Sequence, residues 1–243
     1  MILIKKILLQ VANYQDYRQD YFLKFQEKTK NFASKHNYIY HHFDSKIGER
    51  NYSWQKIVRA NQLLQDKYVN DNDIIFCLDA DACIFDMSED FPCVNNFNYA
   101  IDNGNTHCMG IWSMRISDWT RKLLDNFLDQ NLYDQHKNTE LWQTWSEQGC
   151  WYTLTGLPRH SWISYKNLEN YGWNSIVHDS VRYNTQDLND NVCLLDTKWN
   201  TTILEEDYDT IDLNIQQYNI VKTKKENTKI RHFGGQKWRL DYL

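Results

Sequence analysis

Residues 71–86, DNDIIFCLDADACIFD, constrain this chain more than any other stretch. Ile74, Ile75, Phe76, Cys77 and Leu78 form a short apolar run bounded by polar residues. An unbroken run of that length predicts a strand buried on both faces, as in a parallel sheet covered by helices. Asp79 and Asp81 follow at its carboxyl end, with only Ala80 between them. In extended chain, residues i and i+2 point the same way, so both carboxylates can face one small volume. A second apolar step, 83–85, comes next. Burying two ionised carboxylates between apolar segments is costly unless a cation or hydrogen bonds neutralise them, and a divalent metal would do that. The plainer reading is that the pair caps a strand and a turn, as Asp often does. Its place favours the metal, because open α/β sheets bind ligands outside the carboxyl ends of their strands.

The flanking sequence predicts the rest of such a sheet. Ile7, Leu8, Leu9, Val11 and Ala12 read as a first strand that ends at a turn, Asn13-Tyr14. A helix is expected over 15–35, with Tyr21, Phe22, Phe25 and Phe32 at near-helical steps, then a strand over 38–43 and a polar loop over 44–51. Ser53 is the expected cap of a helix reaching about residue 67, with Trp54, Ile57, Val58, Leu63 and Leu64 as its apolar stripe. Strand, helix, strand, helix, strand predicts an α/β/α sandwich around a mostly parallel sheet. Further on, strands are expected over 99–102 and 110–116 and helices over 118–130 and 141–154. Beyond Gly156 short strands lie among loops, at 162–163, 173–177 and 192–195.

Composition excludes several function classes. The net charge is −5 with no long basic run, which argues against nucleic-acid binding. No stretch approaches the length of a membrane span, and residues 1–10 lack the long apolar core and cleavage site of a signal peptide. Six cysteines without a CxxC pair read as reduced, which with the missing leader points to the cytoplasm. With 243 residues, two prolines and no linker-like segment, one domain is expected over 1–243. The many aromatic residues suit sugar rings, but they also simply fill cores.

Two distant segments complete a chemical set. The tail carries His232, Gly234-Gly235 and Lys237. A neutral imidazole can ligate a metal, glycines let backbone approach an anion, and a lysine offers a point charge for phosphate. Glu147 and Gln148 lie in the helix expected over 141–154, where neighbours diverge by about 100°, so only one of them is expected to point squarely inward. Carboxylates with diphosphate oxygens make an oxygen-rich shell that suits magnesium or manganese, and an imidazole tilts the choice to manganese.

These residues resemble the metal-dependent glycosyltransferases of the GT-A fold, and most closely glycosyltransferase family 34, which holds galactosyl-, mannosyl- and xylosyltransferases. The landmarks run in order: Trp54-Gln55-Lys56, then Leu78-Asp79-Ala80-Asp81-Ala82, then Gly110-Ile111-Trp112-Ser113-Met114-Arg115 with Trp119, then Glu147-Gln148, and last His232-Phe233-Gly234-Gly235-Gln236-Lys237. Residues 157–229 match poorly. The family has Asn where Cys108 stands and often a second acid where Ser146 stands, which leaves the donor sugar open.

The resemblance implies a GT-A domain with a nucleotide-binding half over about 1–100 and an acceptor-binding half over about 101–243. It implies a retaining transfer of a hexose or pentose from a UDP-sugar to a glycan acceptor. Asp79, Asp81 and His232 would bind Mn2+ (or Mg2+). Ala12, Asn13 and Tyr14 would cradle the base, and Lys56, Asp79, Ala80, Asp102, Gly235 and Lys237 would hold the nucleotide sugar. Gln148 would lie beside the anomeric carbon, Glu147 would be the candidate catalytic carboxylate, and Lys237 would meet the charge of the leaving diphosphate. The family's Golgi members carry a membrane anchor that is not visible here, which implies a cytoplasmic bacterial or viral enzyme. Two alternatives stay open. A sugar-1-phosphate nucleotidyltransferase would need a glycine-rich basic loop after the first strand, where residues 11–14 have neither Gly nor Lys. A carbohydrate-binding module would use the aromatic residues but would not require the acids, His232 or Lys237.

Overall fold

The structure is a computed structural model that describes residues 3–12, 19–103, 107–156, 180–202 and 223–233; side chains at 19–21, 140–141 and 143–145 lie outside the description. In chain order the elements are β1 (Lys6–Val11), α1 (Gln19–Lys35), β2 (Ile39–Phe43), α2 (Gln55–Gln65), β3 (Ile74–Asp79), β4 (Ala82–Ile84), β5 (Phe97–Ile101) and β6 (His107–Arg115). Then come α3 (Asp118–Leu128), α4 (Gln130–His136), α5 (Glu140–Thr155), α6 (Thr185–Asn191), β7 (Val192–Leu195) and β8 (Ile230–His232). The six-stranded sheet has the order β2-β1-β3-β6-β5-β7, and β4 and β8 form a second, two-stranded sheet. The pairs β1–β2, β1–β3 and β5–β7 are parallel, while β3–β6 and β5–β6 are antiparallel. The expected mostly parallel sandwich is what forms.

Period-two alternation builds the layers. In β1, Ile7 and Leu9 point to one face and Leu8 to the other; in β3, Ile75 and Cys77 oppose Phe76 and Leu78. On the first face these residues meet Ile57, Ala60 and Leu63 of α2, Leu123, Leu124 and Phe127 of α3, and Trp151 and Leu154 of α5. On the second they meet Phe32 and Ala33 of α1, Phe91, Trp199, and Ala82 and Ile84 of β4. With β1 and β6 on either side, β3 is central and buried on both faces. Trp54, Trp112, Trp142, Trp151 and Trp199 are all buried, so these aromatic side chains fill the core. Each large apolar side chain so buried stabilises the fold by about 1.5–3 kcal/mol.

Several boundaries differ from expectation for local reasons. Ser53 does not cap α2; its hydroxyl hydrogen-bonds Asn51 Oδ1, and a 3-10 turn, Tyr52–Trp54, leads into the helix. Gln55 staples the preceding loop instead: its Oε1 accepts from the Ile47 amide (2.8 Å) and its Nε2 donates to the Ile47 and Arg50 carbonyls (both 3.1 Å). Arg50 in turn donates to the Phe127 (2.7 Å) and Leu128 (3.0 Å) carbonyls at the end of α3, its guanidinium lying over Trp54 and Tyr133. The helix expected over 118–130 divides, because Asp129 leaves the helical region (φ −53°, ψ 116°) and accepts from the Asn131 and Leu132 amides to start α4. The short α6 was not expected; Asn184 starts it with a capping box. The strand at 192–195 forms as expected, whereas the strands expected at 162–163 and 173–177 lie outside the described residues. All six cysteines are free, and no described helix is long and apolar enough to cross a membrane.

Candidate active site

The site lies where β3 ends. Asp79 is the last residue of that strand, in register with Val11 of β1, and Ala80 and Asp81 form a turn into β4. The two acids therefore do not share one face of an extended chain, as the sequence suggested; a turn begins between them and brings them together. Their third partner arrives by a long-range ladder. In β8, His232 is paired with Ala82, and the Phe233 amide donates to the Asp81 carbonyl (2.9 Å). His232 Nε2 lies 3.2 Å from Asp81 Oδ1 and 3.6 Å from Asp79 Oδ2. One ligand atom from each of Asp79, Asp81 and His232 falls within 4.8 Å of the others.

Gly110 explains how this fits under the sheet. A Cβ at that position would stand 2.6 Å from Asp79 Oδ2 and 2.6 Å from His232 Cε1, closer than such atoms approach. The glycine of the Gly-x-aromatic segment thus makes the space in which the acid and the imidazole meet. Two carboxylates and an imidazole are donors that suit a divalent cation, so the residues present fit one. His232 is held well above its ordinary pKa: burial opposes the charged ring, but the neighbouring charge and hydrogen bond of Asp81 override it.

A buried ion triad adjoins the acids. Lys56, at the start of α2, places Nζ 2.5 Å from Asp79 Oδ1 and 2.9 Å from Glu147 Oε1. Lys56 and Glu147 are both buried, and Glu147 Oε2 has no hydrogen-bond partner among the described residues. Burial works against the Lys56 charge, yet Asp79 and Glu147 raise its pKa. Burial raises the pKa of Glu147, with Lys56 pulling it down and Asp79 adding to the rise.

Glu147 owes its position to a break in α5. Ser146 has φ 50° and ψ −119°, a region that costs a non-glycine residue about 1–3 kcal/mol. Its hydroxyl accepts from Asn51 Nδ2 (2.9 Å), from the loop that Gln55 and Arg50 anchor. The break lets both Glu147 and Gln148 be buried, contrary to the expectation from an unbroken helix. Their partners differ. Gln148 Oε1 accepts from the Met109 amide (3.2 Å), and its Nε2 donates to Tyr152 Oη (3.1 Å), which donates to the His107 carbonyl (3.0 Å).

Of the other expected site residues, Ala12 is buried at the end of β1, where its amide donates to the Phe43 carbonyl (3.0 Å). Ala80 lies in the turn between the acids, and Asp102 is half-buried just after β5. Asn13, Tyr14, Gly235 and Lys237 lie outside the described residues. The sequence did not point to Asn51, Ser146 or Asn200. Ser146 is noticeable only as the missing acid before Glu147, and Asn200 sits in a stretch with no readable pattern.

No protein-family model matches the chain, and no curated protein matches it. Among solved structures, it is similar to a glycosyltransferase involved in the glycosylation of the major capsid of PBCV-1, with a TM-score of 0.53 at 11% identity over 98% of this chain and 100% of that one. At that identity the likeness shows the fold, which is the GT-A arrangement. The catalytic domain of Drosophila β1,4-galactosyltransferase 7 in complex with xylobiose aligns over 51% of this chain and 52% of that one, at 16% identity and a TM-score of 0.35. An active-site mutant of LgtC aligns over 94% and 87%, at 14% identity and a TM-score of 0.35. The last two overlaps are too loose to add to the fold assignment.

Proposed function

We propose that residues 1–243 form a single catalytic domain of a divalent-metal-dependent retaining glycosyltransferase, which moves a hexose or pentose from a UDP-sugar to a carbohydrate acceptor. The observation that carries the proposal is the meeting of Asp79, Asp81 and His232 at the carboxyl end of the central strand, in a space that Gly110 keeps clear. A site of that kind at that place in an α/β sheet suits a nucleoside diphosphate.

In the proposed reaction, the bond from the anomeric carbon to the diphosphate oxygen breaks and its electron pair stays on the leaving diphosphate. The acceptor hydroxyl bonds to the anomeric carbon and gives its proton to the oxygen of the leaving diphosphate. Asp79, Asp81 and His232 would hold the cation, manganese or magnesium, which when bound neutralises charge on the leaving diphosphate, an effect of several kcal/mol. Lys237 and the Gly235 backbone supply the chain's own donors to the same oxygens. Residues 12–14, Lys56, Ala80 and Asp102 frame the nucleotide sugar.

Glu147 is the carboxylate that meets positive charge developing at the anomeric carbon. Its Oε1 is tied to Asp79 through Lys56, which orients the carboxylate, and its buried Oε2 has no hydrogen-bond partner among the described residues. Gln148 has both ends of its amide committed to Met109 and Tyr152, which suits a wall beside the sugar better than a reacting group. Retention follows either by front-face attack or through a covalent bond to Glu147.

The test is UDP release and product formation from a panel of UDP-sugars, with Mn2+ and after EDTA. Release that requires the metal, and that Asp81→Ala abolishes, is expected. Equal release after EDTA would overturn the metal role. A product of inverted anomeric configuration by NMR would overturn retention.

A further inference from the structure

We infer that Asn200 is a positioning residue of the metal centre, keeping a proton on His232 Nδ1 so that Nε2, beside Asp79 and Asp81, is the nitrogen left to ligate a cation. The inference rests on the metal reading proposed above and adds a residue that no motif contains.

Asn200 is fully buried and follows a 3-10 turn, Thr197–Trp199. Its Oδ1 lies 3.0 Å from His232 Nδ1, and its Nδ2 lies 3.4 Å from the Ala100 carbonyl oxygen. That carbonyl can only accept, so the amide nitrogen must face it and the amide oxygen must face the ring. The amide oxygen also can only accept, so Nδ1 must donate. A proton fixed on Nδ1 leaves Nε2 as the ligating atom, and Nε2 is the nitrogen beside both aspartates.

The backbone holds the pair together. The Thr201 amide donates to the Ile230 carbonyl (3.0 Å), and the His232 amide donates to the Thr201 carbonyl (2.9 Å). Asn200 is therefore carried to the ring by the strand that carries His232 to the acids. Cys108 Sγ, 3.8 Å from Nδ1, can accept from the same proton. Metal-ligating histidines are commonly oriented by an acceptor on the far nitrogen, and loss of that acceptor weakens metal binding by roughly 10–100-fold.

The experiment compares the full chain with Asn200→Leu, of similar shape but without an acceptor, and with Asn200→Asp, which restores one. Mn2+ affinity is read from the free-ion electron paramagnetic resonance signal, and melting temperature is read in EDTA. Asn200→Leu should bind Mn2+ roughly 10–100-fold more weakly, and Asn200→Asp should recover affinity. Unchanged affinity in Asn200→Leu, or equal weakening in both variants, overturns the inference; so does a melting temperature that drops with affinity intact. If the wild type itself binds no Mn2+, the metal reading fails as well, whereas wild-type binding with an unaffected Asn200→Leu fails this inference alone. Should neither variant fold, imidazole 15N shifts of His232 in the wild type loaded with Mg2+ decide: a proton on Nδ1 with Nε2 bare supports the inference, and a bare Nδ1 overturns it.

Discussion

Removing the Lys56 charge tests the buried triad. In Lys56→Met the stem is roughly preserved and the ammonium is lost. Nζ stands 2.5 Å from Asp79 Oδ1 and 2.9 Å from Glu147 Oε1, and the Lys56 side chain is only 5% exposed and that of Glu147 6%. Breaking a buried pair by deleting one partner costs about 3–5 kcal/mol, because the other charge is left uncompensated. For a chain of this size that corresponds to a melting temperature lower by roughly 6–20 °C. Glu147 can limit the loss by taking a proton, since burial already raises its pKa. Without Lys56 that pKa rises further, so the folded state binds a proton that an unfolded glutamate, near pH 4.3, has released. Stability of the variant should then fall as pH rises from about 4.3 through the folded value, more steeply than in the wild type. Urea denaturation in EDTA at about pH 5 and about pH 8 measures this, and Glu147→Gln in the same background should recover part of the loss. A Lys56→Met protein within about 0.5 kcal/mol of wild type near pH 8, with no coupling to Glu147→Gln, would refute the reasoning.

Other outcomes follow from single positions. Gly110→Ala drives a methyl group to 2.6 Å from Asp79 Oδ2 and His232 Cε1, and should cost about 1–3 kcal/mol of stability and weaken Mn2+ binding, read by thermal melting and metal titration. Ser146→Val should destabilise by about 1–3 kcal/mol, because a β-branched residue tolerates φ 50° poorly; Ser146→Gly, which relieves the backbone but loses the bond from Asn51, should fall within about 1 kcal/mol of wild type on the same denaturation assay. Asp86 is held down to about 2 by hydrogen bonds from Lys229 and Ser88. Its depressed folded pKa contributes stability above the unfolded value near 3.9 that is lost as pH falls through the folded one, so Asp86→Asn should cost at most about 1 kcal/mol near pH 7 and nothing near the acid limit, checked by denaturation at both ends.

What the sequence made legible, and what it did not, divides along contact range. The apolar run at 74–78 and the acids after it were readable because burial on both faces leaves a local mark, and that strand lies at the centre of the sheet. Lys56 and Gly110 stood in visible motifs, but their reasons did not: a lysine bridging two acids and a glycine vacated for an imidazole are facts of packing between distant segments. The expectation that only one of Glu147 and Gln148 turns inward assumed a regular helix, and the unusual backbone of Ser146 removed that premise. Ser53 looked like a cap because its residue type favours caps, but Asn51 and Gln55 were better placed to use the local hydrogen bonds. Asn200 could not be found beforehand, since one amide delivered by a long-range bridge leaves no periodic trace.

The most direct measurement is an anomalous diffraction map from crystals grown with Mn2+ and UDP. The account predicts one strong peak touching an oxygen of Asp79, an oxygen of Asp81 and Nε2 of His232, with diphosphate density on its open side. A peak elsewhere, or no peak while His232 Nε2 stays hydrogen-bonded to Asp81, would contradict it.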